Sequence, residues 1–214
     1  MDIGQPIIEH GAVDVRNLRD GLARVGPDFW RLDQASRVGL AGERPGGAVY
    51  YYNDQPIFLA RAALNEAQQT GRVSVLRNAA RPLFDAVDAI VRDHVAPLYP
   101  GCDVLRVQLA ELPAGNTISP HRDVDMLALI HRTHIPIATN KAVAFTIADE
   151  DFFLGEGVLY ELNNCARHAV RNDGDTDRVH LLVDMLPHSV GRAAYFDSAK
   201  ELAVAMMKAA SDGR

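Results

Sequence analysis

The sequence predicts one domain of the α+β class, mainly β with flanking helices, and two observations support this prediction. From residue 102 onwards, short runs of β-branched and apolar residues alternate with turn residues, as is typical of strands. Before residue 102, longer segments carry apolar residues at helical spacing. Hydrophobic residues make up 48% of the 214 residues, which is enough for one well-packed core. Many short strands at this spacing favour a double-sheet jelly roll of the cupin type.

The predicted strands lie between residues 102 and 190, the segment that we expect to form the jelly-roll catalytic core. Turn residues separate them at 113–116, 139–141, 155–157 and 172–175. The strands are predicted at Val104–Leu112, Arg132–Ile137, Ala142–Ile147, Val158–Leu162, Arg167–Val170 and Arg178–Met185.

Residues 1–101 are expected to form a buttress of helices and loops that supports the sheet and contributes to substrate selection. Helical spacing of apolar residues predicts helices at 14–25, 57–67 and 81–95. The aromatic run at 49–52 is compatible with a strand, and such runs are more typical of core than of a substrate pocket. Residues 191–214 are expected to form a C-terminal helix.

Charge and cysteine content exclude several classes of function. The net charge of -6 and the lack of a Lys/Arg cluster argue against a nucleic-acid partner. The two cysteines, Cys102 and Cys165, lie far apart, so neither a disulfide framework nor a zinc-thiolate site is predicted. The first residues lack the basic region and apolar core typical of a signal peptide, and about 18 apolar residues in a row, as a membrane span requires, do not occur. We therefore expect a soluble cytoplasmic protein that acts on a small molecule and not on a membrane.

The stretch Pro120–Asp123 contains the first candidate metal ligands. In extended chain, side chains two residues apart project to the same face, so His121 and Asp123 can present an imidazole and a carboxylate to one point. These are two of the three ligands of the 2-His-1-carboxylate arrangement that holds non-haem Fe(II) in oxygenases. A His-x-Asp motif alone is weak evidence, so a second histidine must come from another strand.

Two histidines are candidates for the third ligand, and His168 is preferred. It ends a predicted strand, and the following turn returns the chain to Arg178, so antiparallel pairing brings the two close together. A guanidinium there can bind one carboxylate of a ligand while the other end of the ligand chelates the metal. His180 shares a face with Arg178 and is expected to line the site or to support a ligand.

Arg132 and His134 form a second polar pair, on one face of their strand, which points either to the cavity or to solvent. Further polar residues near the strands are candidates for lining the site or binding substrate. The two asparagines among them are equally typical of a turn. These residues are Gln108, Arg106, Arg122, Asn163 and Asn164.

The stretch from Leu105 to His188 resembles the aspartyl/asparaginyl β-hydroxylase family. That family is a branch of the Fe(II)- and 2-oxoglutarate-dependent dioxygenases with a double-stranded β-helix core. The resemblance implies that His121 and His168 bind iron and that Arg178 pairs with the far carboxylate of 2-oxoglutarate. It is carried, in the order and spacing of the family, by Ser119–Asp123, Arg132–Pro136, Arg167–Val170 and Asp177–Asp184.

The resemblance also implies that Arg132 and His134 contact the cosubstrate. Asp123 is informative because the animal branch of the family has glycine at the matching place, whereas other branches keep an acid. A full facial triad is therefore expected, which argues against a halogenase. The implied activity uses Fe(II), 2-oxoglutarate and O2 to hydroxylate an unactivated C–H bond of a small amino-acid or peptide-like substrate, with release of succinate and CO2.

Two other functions are compatible with the same residues. A metal-dependent cupin enzyme that does not use 2-oxoglutarate would share the barrel and the ligands without needing Arg178. A non-catalytic jelly-roll module would bind a small acidic ligand through Arg132 and Arg178.

Overall fold

Two antiparallel sheets pack against each other in the computed structural model, which describes residues 1–26, 29–30, 40–41, 48–51 and 81–191. The larger sheet has the strand order β1-β9-β6-β11-β4-β3 and the smaller has the order β2-β5-β10-β7-β8. This is the predicted α+β jelly roll. The strands are β1 (Ile7–Ala12), β2 (Leu40–Ala41), β3 (Ala48–Tyr51), β4 (Cys102–Leu112), β5 (Thr117–His121), β6 (His131–Ala138), β7 (Val143–Ile147), β8 (Glu150–Phe152), β9 (Val158–Leu162), β10 (His168–Asn172) and β11 (Arg178–Pro187).

Each of the six predicted strands is present, with bounds that differ by one or two residues at some ends. The segment 1–101, predicted as helices and loops, also contributes β1, β2 and β3 to the two sheets. Of these, β3 agrees with the strand interpretation of the aromatic run at 49–52, whereas β1 and β2 were not predicted. β1 pairs with β9 through a bulge between Glu9 and Gly11. Its polar residues and the bulge conceal the alternation by which a strand is recognised. The short strands β2 and β8 likewise carry too few residues for a period of two to appear.

Helices cover the outer face of the larger sheet. Helix α1 (Arg16–Leu22) lies within the predicted segment 14–25, and α2 (Phe84–Ile90) lies within 81–95. Short 3-10 turns at Arg81–Leu83 and Ala96–Leu98 and a π turn at Val91–Val95 extend α2 at its two ends. The predicted helix at 57–67 lies outside the described residues, as does the C-terminal tail beyond residue 191.

The apolar stripe of the α2 segment packs into the core beneath it. Leu83, Val87 and Ile90 are at most 5% exposed, and they join the same cluster as Leu181 and Val183 of β11. Helical spacing also predicts Phe84 in this stripe, but its side chain is 48% exposed. The buried positions follow from Leu83 at helical spacing, and Phe84 lies one position off that stripe. No helix among the described residues is long and apolar enough to cross a membrane.

Strand β11 lies in the middle of the larger sheet and is buried on both faces. Val179, Leu181 and Val183 point to the helices, as their core cluster shows. By the alternation of a strand, Arg178, His180 and Asp184 then point to the other sheet, and all three are buried. Buried polar groups are costly unless they are paired or bind a ligand. The interior between the sheets is therefore the place to look for a site.

Candidate metal centre

His121, Asp123 and His168 converge at one end of the interior between the sheets. One ligand atom from each lies within 4.8 Å of the other two. His121 ends β5 and His168 begins β10, and the two residues are direct partners in the antiparallel pair. Their ring centroids are 4.2 Å apart. These three residues could hold a metal ion, and the pairing of two strands distant in sequence creates the group.

Each imidazole is oriented by the backbone carbonyl group two residues before it in the chain. Nδ1 of His121 lies 2.7 Å from the Ser119 carbonyl oxygen, and Nδ1 of His168 lies 2.9 Å from the Ala166 carbonyl oxygen. A carbonyl oxygen can only accept, so each Nδ1 carries the hydrogen and donates it. On both rings Nε2 then carries the free lone pair, which is the arrangement found in metal-ligating histidines. Burial lowers the pKa of His168, which favours the neutral, metal-binding form.

Asp123 is buried and held at two atoms. Its backbone N–H donates to the Asn164 carbonyl oxygen at 2.9 Å. Its Oδ2 accepts from Nη1 of Arg132 at 2.6 Å, while its Oδ1 lies 3.9 Å from Nε2 of His121. Oδ1 is thus the carboxylate atom nearest to a histidine ligand. A carboxylate and two imidazoles are a donor set that suits Fe(II) and leaves coordination positions open.

Arg132 and Arg106 flank the metal group on the larger sheet. Nε and Nη2 of Arg132 donate to the two carboxylate oxygens of Asp184 at 2.9 and 3.2 Å. Arg106 contacts Oδ2 of Asp184 through Nε at 2.7 Å and Nη2 at 2.6 Å. Arg132 had been expected to contact a cosubstrate and Arg106 a substrate. The structure places both guanidinium groups in ion pairs with Asp184, and their contacts with small molecules stay predictions.

Arg178, His180, His134 and Phe145 form what we call the basic cluster, deeper in the same interior. The Arg178 guanidinium lies 5.6 Å from the centroid of the Phe145 ring, and His180 stacks on that ring at 5.3 Å. The Nδ1 atoms of His134 and His180 are 3.3 Å apart. Burial, followed by the charge of Arg178, lowers the pKa of both histidines, so both are neutral.

Two buried nitrogens of the basic cluster lack partners. Nε of Arg178 and Nε2 of His180 are buried and make no hydrogen bond. Burial also lowers the pKa of Arg178 to about 9, with no acidic side chain of the described residues acting against that shift. A buried cation without an anion is unfavourable, and a carboxylate-bearing ligand would remove the cost. The basic cluster is thus suited to bind an anion.

Of the two histidine candidates, the structure brings His168 to His121 and Asp123, whereas His180 lies in the basic cluster. The expected antiparallel pairing of the His168 strand with the Arg178 strand is wrong, because β10 pairs with β5 and β7 in the smaller sheet and β11 pairs with β4 and β6 in the larger sheet. Gln108 of β4 is half-buried and pairs with Leu182 of β11, on the strand face that carries Arg106.

Three other predicted residues are engaged with their own chain. Arg122 is exposed and donates to the Cys165 carbonyl oxygen at 3.1 Å. Asn163 and Asn164 are buried in the turn after β9, where Asn163 binds Asp2 at 2.8 Å and Asn164 donates to the Leu127 carbonyl oxygen at 2.5 Å. Their substrate contacts stay predictions, and the alternative interpretation as turn residues agrees with this placement.

Asp184 and Phe145 are the site residues that the sequence did not single out. Asp184 could have been found, because it lies on the same strand face as Arg178 and His180 at even spacing. Phe145 carried no signal, since an aromatic residue in an apolar strand is typical of any core.

The profile of the family described as aspartyl/asparaginyl beta-hydroxylase matches residues 76–187, more than half of the chain. No curated protein shows comparable sequence similarity. Among solved structures, a Pseudomonas putida prolyl-4-hydroxylase is 14% identical over 85% of this chain and 92% of its own, with a TM-score of 0.48. A non-heme monooxygenase, in the ThoJ-Ni complex, is 17% identical over 85% of this chain and 74% of its own, with a TM-score of 0.47.

A cupin domain from Bordetella pertussis Tohama I matches a smaller part of the fold. It is 20% identical over 39% of this chain and 82% of its own, with a TM-score of 0.32. The profile match covers α2 and every strand from β4 to β11, and with them the whole metal group and the basic cluster. The chain belongs to the aspartyl/asparaginyl β-hydroxylase family and is an enzyme of the oxygenase class.

Proposed function

We propose that the protein is an Fe(II)- and 2-oxoglutarate-dependent dioxygenase that hydroxylates an unactivated C–H bond of a small amino-acid or peptide-like substrate. One observation carries this proposal. A His/Asp/His group and a buried arginine without a carboxylate partner among the described residues share one interior. A 2-oxo acid with a second carboxylate has the complementary groups, one end for the metal and one for Arg178.

The residues fit the metal that the proposal requires. His121 and His168 would bind through Nε2, and Asp123 through Oδ1, because their other polar atoms are already engaged. Three protein ligands leave room for a chelating cosubstrate and for O2. Bound Fe(II) supplies the activation of O2, whose two oxygen atoms end in the hydroxylated product and in succinate while 2-oxoglutarate loses CO2.

Arg178 selects and orients the cosubstrate. Its pKa of about 9 keeps the guanidinium charged at neutral pH, and a charge-assisted pair with a carboxylate is strongest where water is excluded. His180 adds a nitrogen two residues further along the same face, and His134 lies beside it. Because both histidines are neutral, they can form hydrogen bonds with a dianion without adding further positive charge to a buried site.

Apolar side chains within and around the basic cluster keep this end of the interior dry. Phe145, Leu112 and Val170 come from three different strands, are at most 5% exposed and belong to one core cluster. Exclusion of water strengthens the pair between Arg178 and its ligand and protects the reacting groups from side reactions. His121, with 43% of its side chain exposed, marks the solvent side of the metal group, where a substrate can approach.

The test is an anaerobic titration followed by exposure to oxygen. Fe(II) and 2-oxoglutarate should together produce a weak visible charge-transfer band, and O2 with a panel of amino acids should release succinate in a substrate-dependent manner. Arg178→Gln should lose the band at cosubstrate concentrations that saturate the wild type. The matched control is Arg171→Gln, on the exposed side of β10, where the arginine pairs with Asp151.

Two outcomes would contradict the proposal. Metal binding without a band or succinate, and without any effect of Arg178→Gln, would indicate a metal cupin enzyme that does not use 2-oxoglutarate. Binding of small dicarboxylates through Arg178 without any metal would indicate a non-catalytic module.

A further inference from the structure

Arg132, Asp184 and Arg106 form a ladder of charged side chains beside the metal group. They are direct partners across the adjacent strands β6, β11 and β4. Asp184 is 1% exposed, and the side chains of Arg132 and Arg106 are 12 and 13% exposed. We call these three residues the charge ladder. Ion pairs this well buried contribute only when their geometry is satisfied at each atom.

The nitrogens of Arg132 are divided between two carboxylates. Nε and Nη2 make the fork that fits the two oxygens of Asp184, and this fixes the plane of the guanidinium group. Nη1 remains, and it donates to Oδ2 of Asp123 at 2.6 Å. Arg106 holds Asp184 from the opposite strand, so Asp184 cannot turn away from Arg132.

We propose that Arg132, held in place by Asp184 and Arg106, is a positioning residue for Asp123, engaging Oδ2 so that Oδ1 alone faces the metal. This inference rests on the proposed metal site. A carboxylate that is free to rotate can chelate with both oxygens and occupy a coordination position that the reaction needs. The contact of Arg132 prevents this rotation, and the bond from the Asp123 backbone to Asn164 holds the main chain.

Arg132 and Arg178 therefore have different tasks. The Arg132 guanidinium is engaged by protein carboxylates at Nε, Nη1 and Nη2. The Arg178 guanidinium has no such partner among the described residues. This assignment replaces the cosubstrate contact that the family resemblance implies for Arg132. Arg132 acts on the metal ligand, and Arg178 acts on the small molecule. This difference between Arg132 and Arg178 depends on the acid at position 123, because Asp123 supplies the acceptor for Nη1 of Arg132.

Titration with Mn(II), followed by the electron paramagnetic resonance signal of the free ion, tests this division without turnover. Arg132→Gln should weaken Mn(II) binding by about 10- to 100-fold, the usual effect of removing a partner of a ligating side chain. At saturating Mn(II), its affinity for 2-oxoglutarate should stay within about threefold of the wild type. Arg178→Gln should show the reverse pattern. Unchanged or tighter Mn(II) binding in Arg132→Gln, with weaker 2-oxoglutarate binding, would overturn the inference.

If circular dichroism shows that Arg132→Gln does not fold, variants at Arg106 keep the test decisive. Arg106 contacts Asp184, which contacts Arg132, so Arg106 acts on Asp123 only through these two residues. Arg106→Gln should still weaken Mn(II) binding, whereas Arg106→Lys, which keeps the charge, should retain most of the wild-type affinity. Unchanged Mn(II) binding in Arg106→Gln would then refute the positioning role. A wild type that binds Mn(II) but never releases succinate would refute the proposed function alone.

Discussion

Replacement of Arg178 by methionine should stabilise the ligand-free protein while it removes cosubstrate binding. The side chain is buried, its Nε has no hydrogen-bond partner, and burial lowers its pKa to about 9. At about 1.4 kcal/mol per pKa unit, the charged group is roughly 4–5 kcal/mol less favourable in the folded chain than in water. Relaxation of the fold makes this an upper bound, so we expect a gain of about 1–4 kcal/mol.

Thermal melting with and without 2-oxoglutarate measures both effects. For a chain of this size, 1 kcal/mol raises the melting temperature by about 2–4 °C, so Arg178→Met should melt several degrees above the wild type. Saturating 2-oxoglutarate with Mn(II) should raise the melting temperature of the wild type and leave that of the variant unchanged. The surface change Arg171→Met should alter the free energy of unfolding by less than about 0.5 kcal/mol.

The stability difference should also depend on pH in a definite direction. The folded-state pKa of Arg178 is about 9, below that of the unfolded chain, so between these values only the unfolded state holds the proton. The penalty is complete below pH 9 and decreases as the pH rises above it. A ligand-free Arg178→Met variant that is less stable than the wild type at pH 7 would refute this reasoning, as would equal stabilisation of the two proteins by 2-oxoglutarate.

Three further predictions concern the metal group and the outer face of the larger sheet. His168→Ala should abolish Mn(II) binding in a paramagnetic resonance titration, whereas His180→Ala should retain it; equal losses in two folded variants would contradict the ligand assignment. Asp123→Asn should reduce Mn(II) affinity at least about tenfold with little change in melting temperature, since one ligand charge is lost and the shape is kept; an unchanged affinity would contradict it. Glu161 is 3% exposed and accepts a hydrogen bond from Tyr99 at 2.7 Å, so Glu161→Gln should cost about 1–3 kcal/mol in urea unfolding. Burial acts to raise the pKa of Glu161, but the hydrogen bonds of His131 and Tyr99 outweigh it, so the pKa is lowered. The contribution of Glu161 to stability is therefore present above pH 4.5 and is lost as the pH falls below that value. A Glu161→Gln variant with the acid sensitivity of the wild type would disprove the assignment.

Local sequence pattern was sufficient for most of the secondary structure. The period of two in β4, β6 and β11 and the helical spacing in the α2 segment are properties of neighbouring residues. The same alternation placed Arg178 with His180 and Arg132 with His134 on common strand faces before any partner strand was known. The strand β1 was missed because its bulge breaks the alternation.

The pairing of residues far apart in the chain was decided only by the tertiary structure. His121 and His168 meet because β5 and β10 pair in one particular register, and the family resemblance anticipated this contact where the pattern left two histidines open. The charge ladder had no local signal at all. Arg106, Arg132 and Asp184 lie on three strands, and a shift of one residue in any of them would turn its side chain to the opposite face. Register depends on the packing of the whole core, so the assignment of Arg132 to Asp123 could be made only once both sheets were assembled.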